Sequence, residues 1–130
     1  MNLLCRLTFL IVLCPLALAG GWEKLGSREV TFQAERDTIS VTIMEGTFKQ
    51  IKLMVRKNGV RFLDMKVHFA NGQTQDVELR AFIPAGGETR VIDLSGRKRI
   101  IKKVTFAYKS QGKARGRKLK RATVVLWGKH

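Results

Sequence analysis

The chain has 130 residues, and its 25 Lys and Arg residues outnumber its 10 Asp and Glu residues to give a formal net charge of +15. This length accommodates one domain at most. The only cysteines, Cys5 and Cys14, lie within the first nineteen residues. Residues 20–130 therefore exclude a disulfide framework, a thiol nucleophile and a thiolate metal site.

The first nineteen residues have the three parts of a secretory signal. One early basic residue, Arg6, precedes an apolar run of about a dozen residues, and Ala17-Leu18-Ala19 stands before Gly20. A retained membrane anchor is disfavoured, because the run is shorter than the ~20 apolar residues that span a bilayer. We expect residues 1–19 to be a signal peptide and residues 20–130 to be one exported domain, periplasmic or secreted, with no transmembrane segment in the mature chain.

Apolar residues alternate with polar ones through most of the chain after Gly26, a pattern typical of half-buried β-strands. About eight such segments recur at spacings of about ten residues, and no window shows a sustained helical pattern. The number and spacing predict an all-β fold, an antiparallel β-sandwich of jelly-roll or Greek-key type. The segments contain Val30-Phe32-Ala34, Ile39-Val41-Ile43, Ile51-Leu53-Val55, Met65-Val67-Phe69, Val77-Leu79-Ala81, residues 89–94, Val104-Phe106-Tyr108 and Ala122-Val124-Leu126.

The hairpin around Asn71-Gly72 has two possible registers. A two-residue turn would put apolar and acidic residues on one face of the sheet. A three-residue loop at 70–72, with its glycine left-handed, keeps one face apolar by pairing Met65 with Val77 and Leu63 with Leu79. We predict the second register. The alternation slips phase just before Leu63, which predicts a β-bulge there.

Residues suited to catalysis are few. In the preferred register Asp64 faces Glu78, which would suit a Ca²⁺ site or an acid/base pair. Neutralisation of the two carboxylates by Arg61 or Arg80 is the interpretation we favour. His68 is expected to be a solvated strand residue, and no spacing of His, Cys or Asp indicates a metal site. We therefore predict no enzyme activity, no cofactor and no metal.

Two segments are predicted to be turns or loops. Glu35-Arg36-Asp37 is expected to form a turn in which Asp37 bonds local backbone. Residues 110–118 combine basic residues with two glycines and nothing large to bury. We therefore expect a mobile basic loop at 110–118.

Positive charge is concentrated near the C-terminus. Residues 20–96 hold 11 basic and 10 acidic residues, whereas residues 97–130 hold 13 basic residues and no acidic one. If the strand around Phe106 and the last strand form a hairpin, the basic clusters beside them share one surface. We predict an anion-binding face with strong salt dependence. Its members are Arg97, Lys98, Arg99, Lys103, Lys109, Lys113, Arg115, Arg117, Lys118, Lys120 and Arg121.

Several polyanions could meet such a face. Base recognition also needs exposed aromatic rings or an element shaped for a groove, and the aromatic residues here alternate as core residues do, so nucleic acid is disfavoured. An exported protein meets anionic lipid headgroups, lipopolysaccharide and other envelope polyanions. The sequence favours a non-enzymatic binding module for such a component, monomeric or weakly associated. The alternative is a periplasmic protein-interaction or inhibitor module whose basic face serves only solubility and edge protection.

Five motifs occur in a fixed order along the chain. They are W-E-K-L-G at 22–26, F-K-Q-I-K-L at 48–53, K-V-H-F at 66–69, K-R-I-I-K-K-V-T-F at 98–106 and A-T-V-V-L-W-G at 122–128. Together they resemble the YaaI-type family of small exported bacterial proteins of unknown function. The resemblance implies a periplasmic or secreted all-β domain, with no established activity or functional site to carry over. The Lys/Arg-rich stretch at 110–121 departs from the family pattern, so the resemblance implies no shared role for its charge.

Overall fold

The computed structural model describes residues 21–32, 34–42, 45–96, 98–109 and 121–130. The predicted signal peptide at 1–19 and the whole of the predicted loop at 110–118 lie outside the described residues. Within the described residues the chain forms eight β-strands and no α-helix, and no helix there is long and apolar enough to cross a membrane. The strands are β1 (Trp22–Val30), β2 (Arg36–Ser40), β3 (Gln50–Arg56), β4 (Val60–Phe69), β5 (Thr74–Ile83), β6 (Ile92–Asp93), β7 (Ile101–Tyr108) and β8 (Ala122–Lys129).

The strands form two antiparallel four-stranded sheets. Sheet A has the order β1-β8-β3-β6, and sheet B has the order β2-β7-β4-β5. These orders place strands that are distant in the sequence side by side, as in an eight-stranded jelly roll. The prediction of an antiparallel β-sandwich is confirmed, and the jelly roll is the variant observed.

The core lies between the two sheets. Alternate residues of β7 and β8 point inward. The side chains that are fully buried there are Val104, Phe106 and Tyr108 of β7 and Val124 and Leu126 of β8. Each such side chain stabilises the fold by about 1.5–3 kcal/mol relative to an exposed one. Because the apolar side chains fill the space between the sheets, the outer faces and the two ends of the sandwich remain for binding.

The two strands that flank the basic segment belong to different sheets. β7 pairs with β2 and β4, and β8 pairs with β1 and β3. The expectation that these strands would form a hairpin is therefore wrong. Alternation identifies the buried face of a strand but not its neighbour, and the connection from residue 109 to 121 is long enough to cross between sheets.

The β4–β5 hairpin confirms the predicted three-residue loop. Met65 lies opposite Val77, Gly72 has a φ of +91°, and the Gly72 amide donates to the carbonyl of Phe69 at 3.0 Å. Glycine adopts this left-handed backbone without the steric cost that a Cβ brings. The turn therefore sets the register of the whole hairpin.

The predicted bulge is also present, because the pairing of β4 shifts between Phe62 and Asp64. The shift turns Leu63 outward, where it is 37% exposed, while Leu79 points into the core and is 5% exposed. The predicted pairing of Leu63 with Leu79 on one apolar face is therefore wrong. The extra residue in the bulge changes the side of the sheet on which Leu63 lies.

Two predicted boundaries near the N-terminus differ from the structure. β1 begins at Trp22, before Gly26. The sequence pattern did not reveal this earlier start, because a register shift between Lys24 and Gly26 interrupts the alternation of the strand. The strand ends at Val30, so the predicted continuation to Ala34 is wrong. The segment predicted as a turn at 35–37 is also different, since β2 already begins at Arg36.

Candidate functional site

The structure distributes the predicted anion-binding residues over three places. Lys98 and Arg99 precede β7 at one end of the sandwich, Lys103 lies within β7, and Lys109 and Arg121 lie at the opposite end. The eight residues of β7 span roughly 25 Å, so these groups are well separated. The other predicted members lie outside the described residues; they are Arg97, Lys113, Arg115, Arg117, Lys118 and Lys120.

Arg99 is engaged by neighbouring protein groups. Its guanidinium donates to the Ser95 carbonyl and to Gln73 Oε1, both at 2.7 Å. It also lies 3.8 Å from the centroid of the Phe69 ring, a cation–π distance. Arg99 therefore ties the segment before β7 to the β4–β5 hairpin.

Arg121 shares one carboxylate with a second cation. Its Nη1 lies 3.5 Å from Glu29 Oε1, and Lys57 Nζ lies 3.5 Å from Glu29 Oε2. The Arg121 carbonyl also accepts a hydrogen bond from Asn58 Nδ2. Because one carboxylate faces two cations, this group keeps a net positive charge.

Six basic residues from several elements converge where β7 ends and β8 begins. Backbone pairing fixes the convergence: the Lys109 amide donates to the Arg61 carbonyl at 3.0 Å, Arg36 lies opposite Ala107, and Arg56 lies opposite Thr123. The turn before β4 brings Lys57 to the same place. We call this group the cationic end; it consists of Arg36, Arg56, Lys57, Arg61, Lys109 and Arg121.

The positive charge of the cationic end is only partly compensated. Among the described residues, the acidic residues near it include Glu29, Glu35, Asp37 and Asp64. In that described part of the chain, no ion pair within 4.0 Å includes Arg36, Arg56, Arg61 or Lys109. By sequence alone, residues 110–120, which connect Lys109 to Arg121, add five basic residues and no acidic one. The described residues of the cationic end therefore carry a net positive charge.

Sequence reasoning missed four members of the cationic end, which are Arg36, Arg56, Lys57 and Arg61. They are scattered along a part of the chain whose charges nearly balance, so no local run marks them. Their position at the ends of predicted strands was a usable signal. Only the jelly-roll pairing shows that those strand ends meet.

A partly buried hydrogen bond lies next to the cationic end. The Tyr108 hydroxyl donates to Asp37 Oδ2 at 2.7 Å, and Arg28 Nε donates to Asp37 Oδ1 at 3.0 Å. Burial, and next the bond to Asp37, raise the pKa of Tyr108, so the phenol stays protonated. Asp37 therefore bonds these side chains rather than the local backbone expected from the sequence.

The facing carboxylates of the hairpin are bridged by an arginine, as one of the two predicted interpretations has it. Asp64 lies opposite Glu78 as predicted, and both side chains are more than half exposed. Arg80 lies between them, with Nε 2.8 Å from Glu78 and Nη2 4.0 Å from Asp64. An open cavity of about 420 Å³ adjoins them, also lined by Arg36 and Lys66. In the part of the chain that the structure describes, no group of three His, Cys, Asp or Glu could hold a metal ion.

The outer face of sheet B carries positive charge near its middle. His68 lies opposite Lys103, and Lys66 lies on the same face of β4, two residues before His68. Partial burial lowers the pKa of His68, and the charges of Lys103, Lys66 and Lys102 lower it further. Lys103, a predicted anion-binding residue, thus extends a positive region along the sheet.

Comparison with known proteins identifies the family. A model of one family, described as a domain of unknown function (DUF2541), matches residues 4–128. This match agrees with the expected family of unknown function and leaves the YaaI-type name as a resemblance. No curated protein matches the chain significantly.

Several solved structures are distantly similar. AlgX from Pseudomonas aeruginosa has a TM-score of 0.47 and 13% identity, covering 80% of this chain and 26% of that chain. The C-terminal domain of A223, a structural protein of sulfolobus turreted icosahedral virus, has a TM-score of 0.44 and 7% identity. The similarity covers 84% of this chain and 99% of that chain. The family 29 carbohydrate binding module CBM29_1 from Piromyces equi has a TM-score of 0.42 and 9% identity, covering 85% and 81%. This chain spans about a quarter of the AlgX chain, and similarity at this level indicates no function.

Proposed function

Since the chain belongs to the DUF2541 family, whose function is unknown, we propose its function from its own geometry. The protein is a non-enzymatic binding module that contacts anionic surfaces through its cationic end. The bound groups are phosphates of the cell envelope, carried by lipid headgroups or by lipopolysaccharide. Export to the envelope follows from the predicted signal peptide at residues 1–19.

One observation carries the proposal. Basic side chains from β2, β3, β4, the turn before β4 and the residues that follow β7 and precede β8 converge at one end of the sandwich. Among the described residues there, they outnumber the acidic ones, which include Glu29, Glu35, Asp37 and Asp64. Arginine presents planar pairs of N–H donors that match phosphate oxygens, and four of the six members are exposed arginines at or next to strand ends. Convergence of this kind supports contact with several phosphates at once.

The cationic end refines the face predicted from the sequence. Lys109 and Arg121 belong to it, and the basic residues at 113, 115, 117, 118 and 120 lie between them in the chain. Lys98 and Arg99 lie at the other end of the sandwich, and Arg99 is already held by protein acceptors. We therefore place the principal contact at Lys109 and Arg121 rather than along the whole of 97–121.

Sedimentation with vesicles tests the proposal. The protein, purified from cells expressing the whole chain, is mixed at ~50 mM salt with vesicles of phosphatidylglycerol and phosphatidylcholine, with phosphatidylcholine vesicles alone, or with lipopolysaccharide. We expect binding to the anionic vesicles and to lipopolysaccharide but not to phosphatidylcholine alone. Mass spectrometry of the purified protein reports whether residues 1–19 are removed.

A matched pair of triple variants localises the contact. Arg56→Ser/Arg61→Ser/Lys109→Ser removes three exposed charges from the cationic end. A control, Lys49→Ser/Lys98→Ser/Lys102→Ser, removes three exposed charges elsewhere. We expect the first variant to bind at least tenfold more weakly, in line with about three lost phosphate contacts, and the control to bind nearly as wild type does.

Absence of wild-type binding to both anionic targets would overturn the proposal. The alternative of a protein-interaction or inhibitor module would then be tested by capture from a periplasmic extract at ~300 mM salt, where electrostatic attraction is screened.

A further inference from the structure

Two exposed apolar side chains lie beside the cationic end. Phe82 is 51% exposed and Leu63 is 37% exposed, and both point outward from sheet B. Phe82 lies directly opposite Arg61 in the β4–β5 pairing, and Leu63 is two residues from Arg61 along β4. The pair therefore adjoins Arg61, a member of the cationic end, at the β5 side of β4, while the Lys109 amide bonds to the Arg61 carbonyl at the β7 side.

The ring of Phe82 is held in place by the turn beneath it. A Cβ added at Gly59 would overlap Phe82 Cζ and lie 2.8 Å from Cε1, so the ring packs directly on the backbone of the turn between β3 and β4. The guanidinium of Arg61 lies 5.5 Å from the ring centroid, within cation–π range. One side of the ring is packed against protein, and about half of the side chain faces solvent.

An apolar pair bordered by cations suits the surface of an anionic bilayer. Cations near such a surface are attracted to its phosphates, and exposed aromatic and aliphatic side chains enter the boundary between headgroups and hydrocarbon. A soluble polyanion offers phosphates without hydrocarbon. Phe82 and Leu63 thus favour a lipid surface over a soluble polyanion as the source of phosphate.

We propose that the cationic end docks on an anionic lipid bilayer, with Phe82 and Leu63 entering the interface while Arg61 and Lys109 contact headgroup phosphates. The inference rests on the proposed function and adds the identity of the target. The charged residues supply attraction that salt screens, whereas the two apolar residues supply a component that salt does not remove.

Two targets and two single variants test the inference. Phe82→Ser and Leu63→Ser are compared with wild type on vesicles of equal parts phosphatidylglycerol and phosphatidylcholine, and on polyphosphate in solution. Burial of a half-exposed side chain predicts binding to vesicles that is about five- to tenfold weaker for each variant, with unchanged binding to polyphosphate. Val91→Ser and Ile100→Ser are the controls, because these side chains are similarly exposed, at 45% and 38%.

A reporter variant measures insertion directly. In Phe82→Trp, the new indole is expected to be quenched by brominated lipid tails to a greater extent than the fluorescence of the wild-type protein, whose Trp22 and Trp127 lie in sheet A. Thermal unfolding of every variant checks that the fold is retained.

The outcomes separate this inference from the proposed function. Full vesicle binding by Phe82→Ser and Leu63→Ser, or the absence of extra quenching in Phe82→Trp, overturns bilayer insertion and leaves the phosphate-binding function in place. Failure of the wild type to bind anionic vesicles, lipopolysaccharide and polyphosphate alike overturns both proposals.

Discussion

The Tyr108 hydroxyl donates a hydrogen bond to Asp37 at 2.7 Å, joining the end of β7 to the start of β2. Arg28 of β1 binds the second carboxylate oxygen at 3.0 Å, so this one carboxylate links the two sheets. Tyr108 is fully buried, and its hydroxyl therefore needs an acceptor inside the protein. The link holds the last residues of β7 in place immediately below the cationic end.

Removal of either partner in this link should destabilise the fold. We expect Tyr108→Phe to lower the free energy of unfolding by about 1–2 kcal/mol, because it removes one bond to a charged acceptor. Asp37→Ala should lower it by about 2–3 kcal/mol, because the buried hydroxyl is then left without a partner. Urea denaturation measures both values, and equal stability of Tyr108→Phe and wild type would contradict the structural role of the bond.

A strained backbone position at Arg80 gives a second prediction. Arg80 has a φ of +40°, in the left-handed region that side chains disfavour by about 1–2 kcal/mol. Arg80→Gly relieves that strain and loses the contacts with Asp64 and Glu78. Arg80→Ala loses the same contacts but keeps the strain. We expect the glycine variant to be about 0.5–1 kcal/mol more stable than the alanine variant in urea unfolding. The reverse order would indicate that the backbone at Arg80 carries no strain.

A pH-dependent contact at the other end of the sandwich gives a third prediction. His130 Nε2 lies 2.7 Å from Glu23, and Nδ1 lies 2.7 Å from the Thr47 carbonyl. The bond to Glu23 is the largest cause that raises the pKa of His130, and Glu45, next to Glu23, adds to the increase. A raised pKa in the folded state stabilises the protein below the ordinary histidine pKa, and this stabilisation is lost as the pH rises through the folded-state value.

We therefore expect Glu23→Gln to reduce stability at about pH 6 by up to about 1 kcal/mol, since both side chains are partly exposed. At about pH 9 His130 is neutral and Glu45 is ionised, so the variant should be at least as stable as wild type. Urea unfolding at the two pH values measures the difference, and NMR titration follows His130 itself. A stability loss that is equal at both pH values would contradict the assignment.

The strands were predictable from the sequence because their pattern is local. Alternation marks which residues of a strand face the core, and Gly72 marks a loop whose length sets the β4–β5 register. Leu63 shows the limit of this reasoning, since a single bulge turned its side chain to solvent. Asp37 shows another, because its partner Tyr108 is distant in the sequence and only the fold brings them together.

The candidate site was less predictable than the fold. The basic run pointed to Lys109 and Arg121, but a run of charge does not tell which strand ends lie beside it. Arg56 and Arg61 reach the same end because β3 pairs with β8 and β4 pairs with β7, and such long-range pairings leave no local pattern. The position of the Phe82 ring was likewise not predictable, because the ring packs against Gly59, a residue distant in the sequence.

The salt dependence of binding to polyphosphate tests the cationic end most directly. Wild-type affinity should fall linearly on a plot of log K against log salt. The Arg56→Ser/Arg61→Ser/Lys109→Ser variant should reduce that slope by about three, one for each lost phosphate contact. The Lys49→Ser/Lys98→Ser/Lys102→Ser control should leave the slope nearly unchanged, because its charges lie beyond a Debye length from the cationic end. Equal slopes for the two triple variants, or wild-type binding that ignores salt, would contradict the account.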